Sequence, residues 1–285
     1  MELDHVLGTA GQDSPEWAVV ERPLPLAQRI FAHAAIRRLL LLVVLAGIWQ
    51  AYATWADNAL MFPTFTETAT AFWTDMRSGT LLIKTGNSLQ ILCLGYALAV
   101  AIAALLAGFA MTTRLGDDLL STLTAMFNPL PAIALLPLAL LWFGLGTPSI
   151  LFVMVHAVLW PLALNTHAGF SGVSEILRMA GRNAGLKGLA FITGILIPAA
   201  FPAILTGLKV GWAFAWRTLI AAELVFGVSS GSGGLGWYIF ENKNRLETAN
   251  VFAGLITVIL IGLLVETLVF QTIERHTVRK WGMLR

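Results

Sequence analysis

The length and spacing of its apolar runs constrain this chain most. A helix needs about 20 residues to cross the hydrocarbon core of a bilayer. Five runs meet that length or approach it: Leu39–Ala56, Asn87–Met111, Leu119–Phe143, Ser149–Gly169 and Asn250–Thr272. A sixth region, Leu189 to Gly227, is longer. As one helix it would reach about 58 Å, nearly twice the core thickness. Only 12% of the 285 residues are charged, against about 25% in a soluble domain. The chain therefore reads as an all-α integral membrane protein. Its small net charge of +2 argues against a nucleic-acid partner.

The distribution of basic residues resolves the long region. Arg22, Arg29, Arg37 and Arg38 precede the first run, and Arg275, Arg279, Lys280 and Arg285 follow the last. Positive charge collects on the cytoplasmic side of membrane proteins, so both termini are expected in the cytoplasm and the number of spans is even. Six transmembrane helices satisfy this. Leu189–Phe201 then reads as a lead-in ended by Pro198 and Pro202, and the fifth span as about Ala203 to Phe226. With this topology twelve of the eighteen Lys and Arg residues fall on the cytoplasmic side. Residues 1–34 read as a cytoplasmic segment, partly amphipathic or disordered, with Pro23 to Leu40 a candidate interfacial helix. Residues 35–285 form the membrane domain. Phe65, Ala69, Phe72 and Met76 share a helical spacing in the longest external segment. Trp49, Trp55, Trp142, Trp160 and Trp237 fall near predicted span ends, as an aromatic belt places them.

Chemistry-bearing motifs are few. "GSGGLG", Gly231 to Gly236, has dinucleotide-loop spacing but follows a span rather than a strand, and reads as a flexible external loop. No Gly-Lys pair exists, so the chain has no Walker-type phosphate loop and is not expected to hydrolyse ATP. No cluster has metal-ligand spacing. Cys93 stands alone in an apolar run. Charges inside spans are more informative, because each costs roughly 2.5–3.5 kcal/mol on insertion scales. Lys209, Arg217 and Glu223 share the fifth span, and Glu266 lies in the sixth. Lys209 can snorkel toward the cytoplasmic end. Arg217 sits near mid-span, where two roles remain open: pairing with Glu223 or Glu266, or attracting an anionic substrate. Trp216 beside it and His156 on the fourth span complete a candidate translocation pathway of Arg217, Glu223, Trp216 and His156.

Between the fourth and fifth spans lies "EILRMAGRNAGLKG", Glu175 to Gly188, basic and rich in small residues. Ala180, Gly181, Ala184 and Gly185 would let another backbone approach. Ile176 and Leu177 could fill a hydrophobic slot. Arg178, Arg182 and Lys187 suit an acidic protein rim or anionic headgroups.

The order of three further segments resembles a known family. "NPLPAIALLPLALLWFGLGTPS" (Asn128 to Ser149), "ILIPAAFPAILTGLKVGWAFAWRTLIAAEL" (Ile195 to Leu224) and "GGLGWYI" are similar to the permease subunit of binding-protein-dependent ABC importers. The branch they resemble imports nitrate, taurine, aliphatic sulfonates and bicarbonate. The likeness covers about Leu39 to Trp281. It implies a type I importer permease fold and a coupling helix at about residues 175–188 that docks on an ATPase subunit. The family's Glu-Ala-Ala positions correspond to Met179, Ala180 and Gly181, of which only Ala180 matches. Gly185 matches the signature glycine. Glu175, one turn earlier, is the candidate to take over the acidic contact. The expected ATPase-coupling set is Glu175, Arg178, Met179, Ala180, Gly181, Arg182, Gly185 and Lys187.

The resemblance further implies that the chain works with a second copy or a paralogous permease. Two ATPase subunits would carry ATP and Mg, and a periplasmic or extracellular binding protein would deliver a small anion or organic acid. The chain itself would bind no cofactor. It would be a multi-pass protein of the bacterial inner membrane, surrounded by lipid. The alternative is a stand-alone secondary transporter or channel for a small anion. That class usually shows an internal repeat, and none is evident here.

Overall fold

The computed structural model describes residues 34–226 and 233–280. The candidate interfacial helix up to residue 33, Arg285, and Gly231 of the glycine loop lie outside the described residues. Among those described there are only helices and turns. The elements are α1 (Ala34–Ala56), α2 (Phe65–Arg77), α3 (Thr80–Thr112), α4 (Arg114–Phe127), a 3-10 turn at Ala132–Leu135 leading into α5 (Leu136–Phe143), α6 (Thr147–Ser171) and α7 (Glu175–Asn183). A helical turn at Gly188–Phe191 then runs through a π-helical stretch, Ile192–Leu196, into α8 (Ile197–Phe226). Last come α9 (Leu235–Asn244) and α10 (Thr248–Leu264), the latter continued to Arg279 through further π-helical turns. From Gln50 onward the described residues form one compact unit, and the described residues through Trp49 another.

Among the described residues five helices are long and apolar enough to span a bilayer, and counting the bent pair α4–α5 as one span gives six. The six-span expectation therefore holds, with two corrections. First, Leu119–Phe143 is not one straight helix. α4 stops at Phe127, and the chain resumes at Ala132 turned by 88°. The cause is Asn128-Pro129-Leu130-Pro131: each proline lacks an amide donor and disfavours α geometry in the residue before it. Second, Pro198 and Pro202 do not end a lead-in. One helical segment runs from Gly188 to Val225. In its π-helical stretch the Ile197 N–H bonds the Ile192 carbonyl five residues back, shifting the ladder just ahead of Pro198.

α6 is the central helix. It meets α3 through a stripe of Leu92, Gly95, Ala99, Ala103 and Ala107, all buried at steps of three or four residues. Small side chains at this spacing let two helices approach closely, and that approach supplies the dispersion contact that drives helix association in lipid. The crossing with α8 is equally tight. A Cβ on Gly169 would lie 2.7 Å from the Ala203 Cβ, and one on Gly207 2.9 Å from the Asn165 Cβ. Pro161 sits inside α6, and its carbonyl accepts from Asn165 Nδ2 at 2.7 Å.

α2 starts from a capping box. Thr64 Oγ1 accepts from the Glu67 N–H, and the Glu67 carboxylate accepts from the Thr64 N–H at 2.8 Å. These bonds hold the Glu67 carboxyl below its ordinary range. The expected stripe is only half right: Phe72 and Met76 pack on the core, while Phe65 and Ala69 stay exposed. The buried face is rotated to include Thr68 and Asp75. Trp160 departs from the aromatic belt altogether. It is 8% exposed and lies at the α4–α6 contact, whereas Trp55 and Trp142 are exposed as the belt predicts.

The α6–α8 crossing has no room for a larger residue. Gly207→Val is expected to destabilise the fold by about 2 kcal/mol, the usual cost of overpacking. Thermal unfolding in detergent, followed by tryptophan fluorescence, measures this. An unchanged midpoint would refute the close crossing.

Candidate functional site

Two regions carry the residues singled out from the sequence: the outer face of α7 and a cavity at the α4–α5 break.

Ser174 caps α7 by accepting from the Leu177 N–H. The helix ends in a Schellman turn: Leu186 N–H bonds the Gly181 carbonyl and Gly185 N–H the Arg182 carbonyl. Gly185 sits at φ +76°, a left-handed conformation suited to glycine at this position. Its match to the signature glycine thus has a local cause.

Two of the expected coupling residues face inward. Gly181 is buried, and a Cβ there would lie 2.8 Å from Ile195 Cγ1 and 3.0 Å from the Phe191 ring. Its smallness serves this chain's own packing against the start of the next span. Ala184 and Gly185 lie past the last helical residue, so the four small residues form no continuous helical face. Arg178 turns back as well: Nη2 donates to the Phe170 carbonyl at 2.7 Å and Nε to the Val173 carbonyl at 3.1 Å. These bonds clamp α7 to the end of α6. The opposite face is open. Ile176 is 77% exposed and Met179 53%, with Glu175, Ala180, Arg182, Asn183 and Lys187 also exposed. Residues 176, 179, 180 and 183 share one helical face. With Leu177, 45% exposed, beside them, three large apolar side chains stand out of so short a helix, as in a surface suited to contact.

The cavity has a volume of about 430 Å³. The break at Asn128–Ile133 forms one wall, and Phe127, His156, Trp160, Phe214 and Arg217 complete it. The break frees backbone groups, and in lipid those need partners. His156 Nε2 lies 3.4 Å from the Leu130 carbonyl, and Trp160 Nε1 donates to His156 Nδ1 at 3.0 Å. Because Nδ1 accepts, the imidazole proton belongs on Nε2, directed at Leu130. Trp160 also stacks on Phe127, with ring centroids 5.2 Å apart.

Arg217 lines this cavity and is exposed to it. Of the two roles left open, pairing with Glu223 or Glu266 is not found among the described residues. The Arg217 Nε donates to the Ala213 carbonyl at 3.0 Å, and its guanidinium lies 5.1 Å from the Phe214 ring centroid. Among the described residues no carboxylate lies within 4 Å of it. The two candidate partners are engaged elsewhere. Glu266 lies 3.8 Å from Lys209 Nζ, and Glu274 makes the close contact with that ammonium, at 2.6 Å. Glu223 is 2% exposed and sits away from the cavity. It accepts from Ser88 Oγ on α3 and from the Gly236 N–H on α9, each at 2.8 Å. Trp216 is buried too, its Nε1 donating to the Val258 carbonyl on α10 at 3.2 Å. Of the four pathway candidates, the structure brings Arg217 and His156 to one cavity and places Glu223 and Trp216 in helix packing.

Ser88 escaped the sequence reading, since one serine in an apolar run carries no signal of its own. Its hydroxyl joins three elements: it donates to Glu223 and accepts the Leu235 N–H at 2.8 Å. Gly234 and Gly236 press against Glu223, leaving no space for a side chain. The described end of the glycine motif is therefore packed rather than free. Across α9, the Tyr238 hydroxyl donates to Asp75 on α2. Burial, with this bond, pushes the phenol well above its ordinary range.

Residues 99–276 match the family of binding-protein-dependent transport system inner membrane components. A putative ABC transporter permease of Methanocaldococcus jannaschii is 32% identical over 77% of this chain and 82% of its own length. A putative aliphatic sulfonates transport permease of Escherichia coli is 28% identical over 83% of this chain and 89% of its own length. A nitrate import permease of Leptolyngbya laminosa is 30% identical over 79% and 82%.

Ser88→Ala removes a donor from a buried carboxylate and is expected to cost about 2 kcal/mol. Thermal unfolding of Ser88→Ala, Glu223→Gln and the double variant in detergent tests this. Additive losses would show that the two groups do not interact.

Proposed function

This chain belongs to the family of binding-protein-dependent transport system inner membrane components, transport permeases rather than enzymes, and from that premise we propose that it forms the path of an ATP-driven importer for a small anion or organic acid. The observation that carries the substrate charge is Arg217. It is a guanidinium on a spanning helix, without a carboxylate partner among the described residues, beside a cavity at a broken span. Charge so placed is costly unless the protein or its cargo balances it. The Ala213 carbonyl and the Phe214 ring offset part of that cost. A passing anion supplies the remainder, and the guanidinium fork suits a carboxylate, sulfonate or nitrate. The relatives named for aliphatic sulfonates and for nitrate fit the same charge.

The assembly follows from the open face of α7. Glu175, Ile176, Met179, Ala180, Arg182 and Lys187 would dock in an ATPase subunit, which would hold ATP and Mg. Arg178, Gly181 and Gly185 would fix the shape of the docking helix from within. Two permease chains, this one twice or with a paralogue, would pair with two ATPase subunits, and an external binding protein would load the anion. Both termini would lie in the cytoplasm. Closure of the ATPase pair would displace α7, and with it the ends of α6 and α8 to which α7 is fixed.

The test is uptake by proteoliposomes holding this chain, its ATPase and its binding protein. Uptake should require all three and ATP; uptake by this chain alone would refute the permease reading. Arg217→Glu should lower anion uptake by about tenfold or more, since like charges along a path repel by several kcal/mol. Arg217→Lys should retain part of it. The complex should still assemble in both variants. Normal anion uptake by Arg217→Glu would exclude the arginine from the path.

A further inference from the structure

One polar contact, outside both the cavity and the face of α7, lies between them. His167 Nε2 is 2.6 Å from Asp117 Oδ1. His167 stands one helical turn before the end of α6, which leads directly into α7. Asp117 stands in the first turn of α4, whose far end carries Phe127 and the break. Arg178 already fixes α7 to this same end of α6 through the carbonyls of Phe170 and Val173. A continuous mechanical connection therefore runs from the outward face of α7 to the wall of the Arg217 cavity. It passes through Arg178, the last turn of α6, the His167–Asp117 contact and the rod of α4. From Asp117 to Asn128 that rod is about 16 Å long.

We propose that His167 and Asp117 are a positioning pair that makes α4 follow α7, so that movement at the ATPase side reaches the broken span. The inference rests on the permease reading.

Three observations support it. The contact holds in either protonation state of the histidine: a neutral ring donates Nε2–H to the carboxylate, and a charged ring adds attraction. Next, α4 is tied near both ends. Its start is fixed to the end of α3, where the Thr113 hydroxyl accepts the Gly116 N–H and Gly116 sits against the Phe109 backbone. Beyond that corner Leu120 and Thr124 are buried and Phe127 stacks on Trp160 of α6, while the His167–Asp117 contact ties its first turn to the end of α6. Finally, His167 borders a cavity of about 280 Å³ whose other walls include Ser121, Asn128 and Pro129. Asn128 and Pro129 also border the Arg217 cavity. Space on both sides of the break gives it room to move when α4 is displaced.

Two measurements test the pair. In the first, the full chain alone in nanodiscs, with Cys93→Ser, carries spin labels at Ser121→Cys on α4 and Arg182→Cys on α7. The label–label distance distribution should be narrow with the pair intact and broaden in His167→Ala and in Asp117→Ala. An unchanged distribution overturns the proposal whatever the chain transports. In the second, unlabelled variants are reconstituted with the ATPase and the binding protein. ATP hydrolysis should stay within about twofold of wild type, while anion moved per ATP falls at least fivefold, the low end of measured coupling between sites. The exchanged pair, His167→Asp with Asp117→His, should restore much of that ratio. Equal losses of hydrolysis and transport would assign the pair a general structural role and overturn the proposal, as would an unaltered ratio. A wild-type complex that shows no ATP-dependent uptake, with the first measurement positive, would refute the permease reading and the transmitting role together, leaving only a local tether.

Discussion

Everything in this fold depends on how closely α6 can approach its two neighbours. Lipid tails are as apolar as leucine, so burying leucine between helices gains little over leaving it in lipid. What holds spans together is close packing, and packing needs small side chains where backbones cross. On α3 these are Gly95, Ala99, Ala103 and Ala107, and on α8 they are Ala200, Ala203, Gly207 and Gly211. Sandwiched between both, α6 becomes the fixed reference for the rest. Its first half carries His156 and Trp160, so the position of the cavity follows from the crossing. Its last turn carries His167 and the carbonyls that Arg178 holds, so the position of α7 follows as well.

The α4–α5 break shows the opposite use of backbone. A spanning helix satisfies its own amides and carbonyls, and irregular backbone in a membrane survives only where protein or water supplies partners. Two prolines in Asn128-Pro129-Leu130-Pro131 forbid the regular ladder there. The protein answers with a ring nitrogen of His156 at the Leu130 carbonyl, oriented in turn by the Trp160 indole. A segment stabilised by side chains from another helix can be rearranged more readily than one stabilised by its own hydrogen bonds. That is the property the proposed path would need in its wall.

Much of this was legible in the sequence, and the limits have physical causes. Span number follows from apolar length and basic-residue asymmetry, because the bilayer imposes both. The α7 segment stood out because a basic, small-residue stretch cannot remain in lipid. Partners were not legible. Arg217, Glu223 and Glu266 were close enough in sequence and span to suggest pairing, but helix rotation decides pairing, and rotation is set by the small-residue crossings. Lys209 and Ser88, not Arg217, meet the two acids. Prolines misled twice in opposite directions. Pro129 and Pro131 broke a run that hydropathy alone carried straight through. Pro198 and Pro202 did not end a helix, because a π-helical stretch ahead of Pro198 absorbed the change of register. The small residues of α7 were visible, but which of them faced inward depended on the first turns after it, Phe191 and Ile195.

The three charges of α8 can be compared as one experiment performed by the fold, since they share a helix and differ in surroundings. Lys209 meets Glu274 at 2.6 Å, with Glu266 nearby. Glu223 receives a hydroxyl and a backbone amide while almost wholly buried. In both cases the protein spends other residues on neutralising or solvating the charge, the expected response to a low dielectric. Among the described residues Arg217 receives only a carbonyl of its own helix and the face of a neighbouring ring. Shortage of acids does not explain the difference, because Glu223 lies six residues further along the same helix. Nor does exposure to bulk water at a chain end, since Arg217 stands well inside α8. What distinguishes Arg217 is that it borders open space at a broken span. That placement leaves space for a counterion that comes and goes, which is what the proposed anion path asks of this charge.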